Sequence, residues 1–249
     1  MHSILADFPS LKQGDYLYIL PIERLFIEEK FKFKNIFIYP SGYINVKGLF
    51  NSHFFLDKSL GDIKKLETNT LIAFIGDSPV KFPGQATNNF YILDYALDYL
   101  TPILDYIVFH YCNINNNKTL PARIGQINTG ETLLLLFNGV GSPFTRIISE
   151  KINVNTITLG KGLTINNLNM LNSFPLLNND ISEAGNIGKY ALRMFAQMLE
   201  SNSYTEKFIQ IIRLFEFIAS PDKYEKFKSV KAKIIAHVAN NIHLSTSLF

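Results

Sequence analysis

Hydrophobic and polar positions follow two different rhythms along this chain, and the change of rhythm divides it. From Asp15 to about Gly76 the pattern is strand-like. DYLYILPI, FKFKNIFIYP and NTLIAFIG are short, rich in β-branched and aromatic residues, and bounded by Gly, Pro, Ser or Asn. In FKFKNIFIYP the spacing of Phe31, Phe33, Ile36 and Ile38 predicts one half-buried strand. Ser41-Gly42 reads as the turn of a hairpin between IFIYP and YINVKGLF, while LFIEEKFKF fits strand or helix. Between Asn88 and Tyr111 the period lengthens. Leu93, Leu97, Leu100, Leu104 and Ile107 recur at helical steps, with Pro102 expected to kink that helix or to start a second one. Strand character returns in ETLLLLF and NVNTITL, and NGVGSPF and Gly160-Lys161-Gly162 read as hairpin turns between such segments.

The helical rhythm dominates from Asn179 to Asn241. Three consecutive helices are predicted: DISEAGNIGKYALRMFAQMLESN, SYTEKFIQIIRLFEFIA and SPDKYEKFKSVKAKIIAHVANN. Asp180 and Ser203, each with a Glu three residues on, have capping-box spacing, and Ser220-Pro221 reads as the N-cap and first position of the third helix. Ile187, Ala191, Met194, Phe195 and Met198 form one apolar stripe. Phe208, Ile211, Ile212, Phe215 and Ile218 form a second, and Phe227, Val230, Ile234 and Val238 a third. Facing a core, each large side chain would contribute roughly 1.5–3 kcal/mol. The expected fold is α+β: a β-rich region with one long helix over residues 1–175, then a helical bundle over 176–249.

Composition narrows the function classes. Hydrophobic residues make up 47% and charged residues 18% of the 249, which argues against long disordered tails. A net charge of +3 implies neither a nucleic-acid nor a membrane partner. No apolar run nears the roughly 20 residues that span a bilayer, so no membrane partner is expected. With one cysteine, Cys112, and no signal-peptide pattern, a reducing cytoplasmic compartment is expected, and the sequon at Asn117 has no evident use.

Candidate chemistry is sparse. NGVGSPF lacks the Lys-Ser/Thr of a nucleotide loop. Asp94, Asp98 and Asp105 share a solvated helix face with no converging His or Cys. His53 and Asp57, four apart, are too few to hold a metal, so neither a metal site nor a cofactor is expected. Glu216 lies inside an apolar helix and reads either as a solvent-facing edge residue or as the partner of Arg193 or Arg213. Lys223, Lys226, Lys228, Lys231 and Lys233 fall within eleven residues, opposed by Asp222 and Glu225. Together with Arg213, this cluster could track a phosphate backbone or form a solvated face.

Residues 190–219 resemble HEPN domains, most closely the Apea-like subgroup. The stretch ALRMFAQMLESNSYTEKFIQIIRLFEFIA has a helix, a short polar turn, then a helix in which Phe208, Ile211, Ile212, Arg213, Leu214, Phe215 and Glu216 match the family pattern. The resemblance implies a HEPN-like bundle, a homodimer through the helical region, and RNA-related defence or toxin–antitoxin biology. Active relatives are metal-independent endoribonucleases with an Arg followed four to six residues later by His. No such pair occurs here; the nearest substitute is Lys231 with His237, with Glu216 on the preceding helix. Lys lacks the planar fork of Arg, and on an ideal helix these two positions lie about 120° apart. IHLSTSLF ends the chain without a further helical period, where the family continues to its Arg–His helix, so a lost motif or a truncated relative is expected. The alternative reading is a protein-interaction or self-association module with no nucleic-acid role.

Overall fold

A computed structural model describes residues 2–49, 63–77, 79, 86–114, 119–127, 130–138, 144–151, 161–173, 182–223 and 227–238. The chain forms two compact units, Met1–Phe174 and Pro175–Phe249. The first is built on a six-stranded antiparallel sheet with the order β3-β4-β5-β1-β6-β7. Its strands are β1 (Tyr16–Ile22), β3 (Phe31–Phe33), β4 (Ile36–Tyr39), β5 (Thr70–Gly76), β6 (Glu131–Asn138) and β7 (Phe144–Lys151). A parallel pair, β2 (Leu25–Ile27) and β8 (Leu163–Ile165), lies outside that sheet. An α+β architecture is therefore present.

β1 is central and pairs antiparallel with both β5 and β6. These two neighbours must then run in the same direction, which requires a crossover. The helix α1 (Ala86–Tyr111) occupies that connection. Buried Ile92, Ala96, Leu100, Ile103 and Ile107 give it one apolar face. It meets the sheet through aromatic rings: Tyr95 lies 5.6 Å from Tyr18, and Tyr99 lies 4.6 Å from Phe74. Gly76 permits this approach, since a Cβ there would stand 2.9 Å from the Tyr95 hydroxyl. The opposite face of the sheet, with Leu17, Ile19, Ala73, Leu133 and Leu135, packs under Ile4, Phe8, Ile44, Val46, Ile63 and Leu66. Both faces are covered, so six consecutive residues of β1, Leu17 to Ile22, are buried.

Several expectations change. FKFKNIFIYP forms two strands, because Lys34 takes a left-handed φ of 51° and reverses the chain into the β3–β4 hairpin. Ser41-Gly42 turns the chain, but no second hairpin strand forms after it. Instead Ile44 makes a single bridge to His2, and Lys47–Leu49 make a 3-10 turn. Pro102 lies within one unbroken helix and starts no second one, since flanking Leu100, Ile103 and Leu104 stay packed across it. Asp105 is only 4% exposed and does not belong to the solvated face of Asp94 and Asp98. The NGVGSPF stretch leads from β6 into β7, a strand that no periodicity indicates. NVNTITL, Asp180, His53, Asp57 and Asn117 lie outside the described residues.

The second unit contains α2 (Glu183–Glu200), α3 (Tyr204–Ala219) and α4 (Phe227–Val238). Ser182 caps α2, its Oγ accepting from the Gly185 N–H, and Ser203 caps α3 by accepting from the Glu206 N–H. Ser220 ends α3 instead of starting α4: its N–H donates to the Glu216 carbonyl, and Pro221 sits in the next turn. Proline cannot donate to the Phe217 carbonyl, so the helix stops there.

Candidate functional site

Helices α2 and α3 form an antiparallel hairpin, fixed at both ends. At the turn, the Ser201 hydroxyl donates to Glu206 Oε2 at 2.7 Å. At the open end, the Tyr190 and Phe217 rings meet edge to face at 6.3 Å. The α2 side contributes buried Gly185, Ala196, Met198 and Leu199. From α3 only Lys207 and Leu214 are buried, seven residues apart and hence on one side of the helix.

That orientation splits the expected core stripe of α3, since Ile211 and Ile218 lie within about 60° of Leu214 and the other three do not. Phe208 is 63% exposed and Ile218 49%, while Ile211, Ile212 and Phe215 are half-buried. On an ideal helix Phe208, Ile212 and Phe215 lie roughly 100–160° from Leu214. The i, i+4, i+7 spacing is real, yet it marks a face turned away from α2. Tyr204, 77% exposed, and Ile209 join Phe208 in an exposed apolar patch on α3. The stripe of α2 is likewise shallower than expected: Met198 is buried, while Ile187, Ala191, Met194 and Phe195 are half-buried.

At the edge of the α3 surface stand Arg213, exposed, and Glu216, half-buried. Neither makes an ion pair with a described residue, so neither Arg193 nor Arg213 partners Glu216. Lys207, buried beside the turn, has a lowered pKa because burial disfavours its charge.

The remaining cationic candidates differ in exposure. Lys223 and Lys228 are exposed. Lys233 is exposed and donates from Nζ to the Ala219 carbonyl at 3.0 Å, setting a positive charge at the C-terminus of α3. Lys231 is half-buried in α4. His237 belongs to α4, but its side chain, like Lys226 as a whole, lies outside what is described. No described contact joins Lys231 to Glu216. Among the described residues no group of three or more His, Cys, Asp or Glu is placed to hold a metal ion, and no helix is long and apolar enough to cross a membrane.

Sequence reasoning missed two polar clusters in the first unit. In one, Asp7 accepts from Lys30 Nζ at 2.6 Å and lies 2.9 Å from His2 Nε2, with the Tyr39 hydroxyl buried beside it. Burial pulls the Asp7 pKa up, but Lys30, His2 and Tyr39 outweigh it and hold the carboxyl below its ordinary range. Burial, then the Asp7 charge, pushes the Tyr39 phenol far up. The other is the corner at Glu23 and Arg24, where β1 turns into β2 and the Ala122 and Leu163 N–H groups donate to the Glu23 and Arg24 carbonyls. Neither has a local sequence signal, because each joins residues distant in the chain.

No family model, curated protein or solved structure matches the chain.

Proposed function

We propose that this protein is a HEPN-like component of an RNA-related defence or toxin–antitoxin system, that it has no ribonuclease activity of its own, and that it works as a homodimer joined through α3. The observation that carries the proposal is the exposed apolar patch of Tyr204, Phe208 and Ile209 on α3, with Arg213 and Glu216 beside it. A second copy is the occupant that these charges fit. Across a two-fold axis the same surface meets itself, so Arg213 of one copy can reach Glu216 of the other, and the reverse contact follows by symmetry. A single chain leaves both charges without an ion pair among the described residues. The RNA side of the reading rests on the resemblance around residues 190–219 and on exposed Lys223 and Lys228. Lys231 and His237 take no catalytic role in it, because Lys cannot supply the bidentate fork of an Arg.

The test is the oligomeric state of the full chain by sedimentation, with Phe208→Glu, Arg213→Glu, Glu216→Arg and the double exchange compared at one concentration. Since Phe208 is largely exposed, a charge there leaves the hairpin interior intact. The wild type is expected to be a dimer and the three single variants to shift towards monomer. The double exchange should recover the dimer. A monomeric wild type, or single variants that dimerise unchanged, overturns the homodimer. Binding of a short single-stranded RNA at low and high salt, with cleavage read from the same samples, tests the rest. Salt-sensitive binding without cleavage is expected. Cleavage abolished by His237→Ala refutes the inactive reading. A dimer that ignores RNA leaves the second reading, a self-association module without a nucleic-acid role, which the same apolar patch favours.

A further inference from the structure

Strands β5 and β6 run in the same direction with β1 between them, so both end at the rim of the sheet where β1 begins. In that rim row Tyr16 pairs with Gly76 on one side and with Asn138 on the other. Residues paired across antiparallel strands put their side chains on one face, with Cβ atoms about 4.5–5.5 Å apart. The face is the one that α1 covers, because Tyr18, two residues on from Tyr16, meets Tyr95 of that helix. Gly76 has no side chain to add to the row, and the Tyr95 hydroxyl takes the space, 2.9 Å from where a Cβ would stand. Tyr16, Asn138 and Tyr95 thus come together from three elements, and each is half-buried, open to solvent on one side.

Asp77, the next residue after β5, is held to the same rim by its backbone. Its carbonyl accepts from the buried Tyr18 hydroxyl at 2.7 Å, and its backbone also hydrogen-bonds the Tyr95 phenol. Burial raises the pKa of both phenols, and the Asp77 carboxylate adds to the rise in each, which sets that carboxylate close to both rings. Asp77 is exposed and forms no ion pair with a described residue. Among the described residues the Tyr16 hydroxyl and the Asn138 amide also make no side-chain hydrogen bond. Two phenol rings, an amide and a carboxylate without a counter-ion therefore share one accessible rim.

We propose that Tyr16, Asp77, Tyr95 and Asn138 form a binding site for an organic ammonium group, with Asp77 as its counter-ion. The electron-rich faces of the phenol rings attract a cation. The carboxylate offers acceptor oxygens to its N–H groups, and the Asn138 carbonyl adds a neutral acceptor. A single carboxylate suits a monocation and falls short of the several oxygen ligands that a divalent metal ion takes. The site lies wholly in the first unit and depends neither on the homodimer nor on the HEPN resemblance.

The experiment is titration of the isotope-labelled full-length protein with n-butylammonium at pH 7 and fixed ionic strength, followed through the NMR shifts of the Tyr16, Gly76 and Asp77 amides. Neutral n-butanol is the matched probe. Saturable shifts centred on this rim are expected with the amine and not with the alcohol. Asp77→Asn keeps the backbone groups that Tyr18 and Tyr95 hold, and it should weaken binding about tenfold or more, the size of a lost hydrogen bond to a charged group. Tyr16→Leu should weaken it severalfold, because a ring face is lost. Asp94→Asn removes an exposed carboxylate of α1 and serves as a control expected to leave binding unchanged. No saturable shift, an equal response to butanol, an equal loss in Asp94→Asn, or an Asp77→Asn protein that binds as tightly as the wild type overturns the site.

Discussion

Gly162 offers the sharpest check on the packing of the first unit, because Gly14 supplies a matched control. Both glycines are left-handed, with φ of 94° and 97°. Replacing either by Ala should incur the same backbone strain, about 1–2 kcal/mol. They differ in surroundings: a Cβ at Gly14 has nothing within 4 Å, whereas at Gly162 it runs into the carbonyl oxygen and stem of Arg24. That neighbour is backbone and cannot swing aside. β8 must then move off β2, with an overpacking cost of about 1–3 kcal/mol. The Leu163 N–H to Arg24 hydrogen bond weakens as well, for about 1 kcal/mol more. Gly162→Ala should therefore be less stable than Gly14→Ala by about 2–4 kcal/mol. In a unit of this size that corresponds to a further drop in Tm of roughly 5–15 °C. Because the chain has no Trp, far-UV circular dichroism during thermal and urea unfolding is the suitable readout. If the two variants agree within about 0.5 kcal/mol, the close β2–β8 approach is wrong.

Three other predictions use the same unfolding measurements or a thiol assay. The Asp7 carboxyl is held below its ordinary value of 3.8, so its stabilising contribution is complete above that value and is lost as pH falls through the lowered one. Asp7→Asn should cost about 1–2 kcal/mol at pH 7 and flatten the acid limb of the stability curve; an unchanged acid limb contradicts the Lys30 and His2 contacts. Burial pushes the Cys112 thiol up to about 11, so an aromatic disulfide reagent at pH 8 should label it only as the chain unfolds, and rapid labelling of folded protein contradicts its burial. Leu214→Ala should destabilise the helical unit by about 2–3 kcal/mol while Ile209→Ala costs less than about 1 kcal/mol, and reversed costs contradict the orientation of α3.

The elements that are legible in the sequence are those whose pattern is local. β1, β5 and β6 are continuous apolar runs, and α1 carries five regularly spaced aliphatic residues, so short-range periodicity is enough. The features that escape it depend on distant partners or on a single dihedral. Nothing in FKFKNIFIYP announces that Lys34 turns left-handed, and Asn35 is an ordinary strand neighbour until Tyr99 donates to it across 64 residues. Asp105 shares its spacing with Asp94 and Asp98, yet it is buried where they are not, because burial depends on what packs on the helix. Arg24 is the extreme case. Its neighbours arrive from positions 122 and 162, which only the folded backbone brings to this corner.

The α3 stripe teaches the same lesson from the other direction. Phe208, Ile212 and Phe215 satisfy helical periodicity completely, and periodicity cannot tell a side that faces a core from one that faces another molecule. Both demand apolar residues at three- and four-residue steps. The discriminating residues are the polar ones. Lys207 sits on the side that packs against α2, where a core reading puts no charge, and Leu214 is that side's only buried aliphatic. The longer apolar face then lies opposite, bordered by an Arg and a Glu that find no ion-pair partner among the described residues. In this orientation Ser201 bonds Glu206 at the turn and Tyr190 meets Phe217 further along the hairpin. On the proposed homodimer the exposed α3 patch is where a second copy docks, which is why charge exchange at Arg213 and Glu216 is the decisive perturbation for this unit.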